Sequence, residues 1–62
     1  MIHYRISAEE AVFQRFPSAF DGLDWETARN IYFEARAMTN TDDEITESIL
    51  HDARRRMEIR NA

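Results

Sequence analysis

An all-α fold follows from three helix starts written into this chain of 62 residues. Ser7-Ala8-Glu9-Glu10 and Thr41-Asp42-Asp43-Glu44 both read as capping boxes. In each, a hydroxyl can accept from the backbone N–H three residues on, and a glutamate can reach back to the cap residue's own N–H. Between them, Asp24-Trp25-Glu26-Thr27 puts a capping aspartate and a first-turn glutamate where the helix dipole favours negative charge. These starts predict a compact three-helix domain spanning residues 1–62, with a short extended segment at its N-terminus.

The extended segment comes first. Ile2, Tyr4 and Ile6 alternate with His3 and Arg5, which is strand periodicity. No second strand is written elsewhere. The segment is therefore expected to pair with its own copy across a two-fold axis, or to lie extended on the helices.

The first helix is predicted over residues 8–16. Ala8, Ala11, Val12 and Phe16 share a face, with Phe13 at its margin. Ile6 and Ala11 have the spacing of a hydrophobic staple. Pro17 ends the helix, because the residue before a proline avoids the helical region. Residues 17–23 read as a connector, with Asp21-Gly22 as its turn and Phe20 and Leu23 as plugs for the core.

The second helix is predicted over 25–38. Trp25, Ala28, Tyr32 and Ala35 form a stripe, widened by Ile31 and Met38. Phe33 falls off that stripe. A large aromatic on the polar side points to a helix covered on two sides, as in a dimer. After the breaker Thr39-Asn40-Thr41, the third helix is predicted over 42–59. Ile45, Ile49, Ala53 and Met57 recur every four residues, with Leu50 beside them. Asp42, Asp43 and Glu44 open it and Arg54, Arg55, Arg56 and Arg60 close it, matching the helix dipole at both ends.

Composition narrows the function. A domain this small is marginal alone, and the usual supports are disulfides, metal or oligomerisation. Cysteine is absent and only His3 and His51 are histidine, so a homodimer is the expected support. The net charge is −4, with twelve acids against eight basic residues, all arginine. That balance argues against nucleic acid and anionic membranes. No apolar run approaches the roughly 20 residues of a membrane span. The N-terminus lacks the apolar stretch of a secretory signal, so a cytoplasmic location is expected.

Chemistry finds little purchase. One glycine cannot make a phosphate-binding loop, and no nucleophile-elbow pattern surrounds Ser7, Ser18 or Ser48. Glu47 and His51 share a helix face at i, i+4, but this falls short of any zinc or di-iron pattern. No enzymatic activity, cofactor or metal is expected. Arg54-Arg55-Arg56 with Arg60 could meet phosphates. Successive residues point around a helix, however, and pairing such as Asp52 with Arg56 explains them as well. A helix-turn-helix reading meets the same obstacle, since Asp42, Asp43 and Glu44 would stand where a recognition helix approaches DNA.

The runs MIHYRISAEEAVFQRF and FDGLDWETARNIYFEARAM resemble the small early proteins that lambdoid phages encode between their exonuclease and excisionase genes. The resemblance covers most of the chain. It implies a cytoplasmic accessory protein made early in infection or induction, linked to the choice between lysis and lysogeny and to host physiology. It carries over no catalytic residues.

The expected function is that of a non-enzymatic regulatory or adaptor protein that binds another protein, such as a host protein. An apolar helix face with an arginine and acid rim would make the contact, with Phe33, Met38, Arg54 and Arg55 as its residues. The alternative is a small dimeric DNA-binding regulator that uses the C-terminal arginines.

Overall fold

The computed structural model describes residues 7–60. Its elements are α1 (Ala8–Arg15), α2 (Pro17–Phe20), α3 (Trp25–Ala37), a 3-10 turn (Asp42–Glu44) and α4 (Glu47–Arg60). Among the described residues there is no strand, so the all-α expectation holds. The expected extended segment at 2–6, and the staple that uses Ile6, lie outside the described residues.

Ser7 caps α1 as expected: its Oγ accepts from the Glu10 N–H at 3.3 Å. The helix ends at Arg15, one residue before the predicted boundary, because Phe16 leaves the helical region at φ −131° and ψ 60°. Pro17 then does more than stop a helix. It opens α2 from the first-turn position, where its missing N–H is not needed and its fixed φ suits the helix. The expected connector therefore holds a helical turn that buries Ala19 and Phe20, and the described residues form four α-helices rather than the expected three. Gly22 closes the turn at φ +77°, a conformation that favours glycine.

Asp24 takes the extended backbone of an N-cap residue, but its side chain makes no capping hydrogen bond. What it retains is a negative charge beside the positive end of α3. The C-terminus of α3 is closed by side chains. Thr39 Oγ1 donates to the Ala35 carbonyl at 3.2 Å, and the Arg36 guanidinium donates to the Thr39 carbonyl at 3.3 Å.

The predicted 42–59 helix splits in two. Thr41 Oγ1 donates to Glu44 Oε1 at 3.3 Å instead of capping the backbone. Only a 3-10 turn forms there, and Ile45 leaves it extended. Thr46 is the working cap: its Oγ1 accepts from the Ile49 N–H at 3.2 Å, and its carbonyl accepts from Leu50 at 3.0 Å. The break lets Ile45 reach the core, where it is 1% exposed.

The core joins Val12, Ile31, Ile45 and Leu50 to Phe20, Tyr32 and four alanines, Ala19, Ala28, Ala35 and Ala53. α3 packs chiefly on α4, and alanines buried on both helices suit close approach of their backbones. On α1 only Val12 is buried; Ala8 and Ala11 face solvent, while Phe13 and Phe16 pack partly on the core. The expected stripe on α3 keeps Ala28, Ile31, Tyr32 and Ala35 but loses Trp25, which is half exposed.

Candidate functional site

The sequence of α3 places Trp25, Arg29 and Phe33 at i, i+4 and i+8, a single ridge about 12 Å long. Ala28, Ile31, Tyr32 and Ala35 hold the helix to the core, which turns this ridge outward. Trp25 is 51% exposed and Phe33 49%. With Ile59 they are the large apolar side chains most open to solvent among the described residues.

Both aromatics are braced from beneath. The Trp25 ring meets Phe13 edge-on at 5.4 Å, and Phe13 packs on buried Phe20 at 4.5 Å. Phe33 lies 5.4 Å from the Tyr32 ring. The Arg29 guanidinium stacks over Phe33 at 5.5 Å. Phe33 also lines an open cleft with Asn30, Glu34, Met57 and Arg60. Arg60 reaches from the end of α4 to pair with Glu34.

A second polar cluster lies at the other end of α3. Asp42 Oδ1 accepts from the Tyr32 hydroxyl at 2.7 Å and pairs with Arg36 Nε at 2.9 Å. Its carbonyl accepts from Arg15 at 3.4 Å. Burial raises the Tyr32 pKa above its ordinary value. The hydrogen bond to Asp42 and that residue's charge add to the rise, and Arg36 opposes it. This cluster ties α1, α3 and the 3-10 turn together, so its role is architectural.

The four residues singled out from sequence are dispersed. Phe33 stands on the outer ridge. Met38 caps α3 and is drawn partly into the core. Arg54 pairs with Glu58 at 3.3 Å. Arg55 pairs with Asp52 at 3.8 Å, so Asp52 takes Arg55 and not the expected Arg56. With Arg60 on Glu34, three of the four C-terminal arginines are matched to acids. Glu47 accepts from Ser18 Oγ at 3.1 Å, while His51 is exposed. Among the described residues no group of three or more acids and histidines is placed to hold a metal ion.

Sequence reasoning set Trp25 in the core stripe, passed over Arg29 and Glu34, and read Arg60 only within the C-terminal arginine cluster. The signal for the first two was present: the 25–29–33 spacing is itself a helix ridge, offset from the alanine stripe. Glu34 and Arg60 belong to different helices, and no local pattern joins them. No helix among the described residues is long and apolar enough to cross a membrane. Compared with known proteins, the chain matches no family model, no curated protein and no solved structure.

Proposed function

We propose that this chain acts through protein–protein contact, as a regulatory or adaptor module, and that the outer ridge of α3 is its contact surface. One observation carries the reading: Trp25 and Phe33, both about half exposed, stand on one ridge with Arg29 between them. Tryptophan, aromatic and arginine side chains dominate binding hot spots. Braced rings lose little conformational freedom on binding, which favours affinity.

The thin core supports association of some kind. Among the described residues, four of its ten members are alanine, and a small apolar core gains stability from a partner. A homodimer and a foreign partner both satisfy that need. The lambdoid-phage resemblance supplies a setting: an early accessory protein in the host cytoplasm, acting on phage development through a host protein.

The test is photo-crosslinking in the producing cell, with benzoylphenylalanine placed at position 33 and, as control, at exposed position 21. A specific adduct at 33 that is lost on Trp25→Ala supports the reading. A self-adduct identifies a homodimer, and a foreign adduct identifies an adaptor's partner. Equal labelling at 21 and 33 would remove the ridge as a contact surface.

A further inference from the structure

The cleft beside Phe33 has a chemistry of its own. It is an open depression of about 370 Å³ between α3 and α4, lined by Asn30, Phe33, Glu34, Met57 and Arg60. The Glu34 side chain is only 16% exposed, and its Oε1 is buried and accepts no hydrogen bond among the described residues. A buried carboxylate oxygen needs a positive charge or a donor to offset its lost hydration. Among the described residues, Arg60 supplies that charge.

Arg60 is a replaceable occupant. Its own side chain is 65% exposed. It lies in the last turn of α4, and helix ends open at little free-energy expense. What surrounds it is a set of groups that recognises a guanidinium in general. A carboxylate can pair with it bidentately. An aromatic ring attracts its charge. A thioether and a ring edge can pack along its aliphatic stem.

We propose that the Phe33–Glu34 cleft receives an arginine side chain from a partner protein, which displaces Arg60 from Glu34. In the free protein Arg60 is an internal stand-in that keeps the carboxylate paired. The proposal rests on reading the outer face of α3 as a protein-binding surface, and it names the chemistry of the incoming anchor. Charge favours a basic partner, because the chain carries −4. The same charge disfavours a second copy as occupant. Two chains of −4 repel.

The experiment uses a blocked leucine-arginine-leucine tripeptide as probe, with a citrulline-for-arginine version as control. Binding is followed by amide shifts in wild-type protein, Arg60→Gln and Glu34→Gln. The expected result is that only the arginine peptide shifts Asn30, Phe33, Glu34 and Met57. Arg60→Gln should bind it roughly fivefold tighter, the worth of one partly exposed ion pair, and Glu34→Gln should lose it. Equal binding of the two peptides along Trp25, Arg29 and Phe33 would overturn the arginine site and leave the ridge reading standing. Absence of any shift on α3 would overturn the site too, while photo-crosslinking judges the ridge separately. Sedimentation equilibrium closes the remaining route: a dimer formed by Arg60→Gln from a monomeric wild type would make a second copy the occupant and overturn the proposal. If Arg60→Gln fails to fold, the arginine-versus-citrulline contrast on wild-type protein decides.

Discussion

The Tyr32 hydroxyl donates to Asp42 Oδ1 at 2.7 Å, fastening the core-facing side of α3 to the turn that precedes α4. Arg36 pairs with the same oxygen, so one carboxylate sets where the chain re-enters the core at Ile45. Tyr32→Phe keeps the ring and removes the donor. It should lower unfolding free energy by about 1.5 kcal/mol, the scale of a hydrogen bond to a charged group, in urea denaturation at neutral pH.

The same contact predicts a response to alkali. The folded state raises the Tyr32 pKa above 10.0, first through burial and then through Asp42. Below pH 10 the phenol is protonated whether the chain is folded or not, and its contribution is fully present. As pH rises further, the unfolded chain loses this proton first, which favours unfolding. Wild-type stability should therefore fall from about pH 10 upward, through the raised pKa. Tyr32→Phe should show a shallower fall. Parallel curves for the two proteins would remove Tyr32 as the source.

The caps make a sharper comparison. Ser7 and Thr46 accept backbone N–H groups at 3.3 and 3.2 Å, and Ser7→Ala and Thr46→Ala should each cost about 1 kcal/mol. Thr41 resembles Ser7 in sequence, but its hydroxyl donates to the exposed Glu44 carboxylate. Thr41→Ala should leave the thermal midpoint nearly unchanged. A loss at Thr41 equal to that at Thr46 would mean that the helix begins at Thr41 after all.

These residues also mark what local sequence can convey. The capping signal at Ser7, the boundaries of α3 and the burial of Leu50 and Ala53 were readable because each depends on neighbours within one or two turns, whereas Ile45 is buried through the break before α4 and not on a helical stripe. Pro17 was ambiguous, since proline ends one helix and starts the next with equal ease. Thr41 was read as the helix start, but Thr46 caps the helix, and Asp42 beside Thr41 is held by Tyr32 and Arg36 on another element. Phe33 was legible as an outward aromatic because it breaks a stripe. Trp25 was misplaced because it sits at the stripe's edge, where Phe13 from α1 braces it but does not cover it. The Glu34–Arg60 pair spans two helices, so it becomes visible only when they are packed.

Exposure separates the roles of the aromatics and of the core, and this can be measured. Ile31 is 2% exposed, and Ile31→Ala should cost roughly 2–5 kcal/mol, enough to unfold much of a domain this small. Phe33 leaves half of its surface in water, so Phe33→Ser removes less buried area and should cost about 1 kcal/mol. If the ridge binds a partner, the order reverses for association. With benzoylphenylalanine placed instead at exposed position 30, Phe33→Ser combined with Trp25→Ala should abolish the crosslink while the circular dichroism helix signal stays near wild type. Loss of that signal in parallel with the crosslink would instead make the two rings part of the folding core.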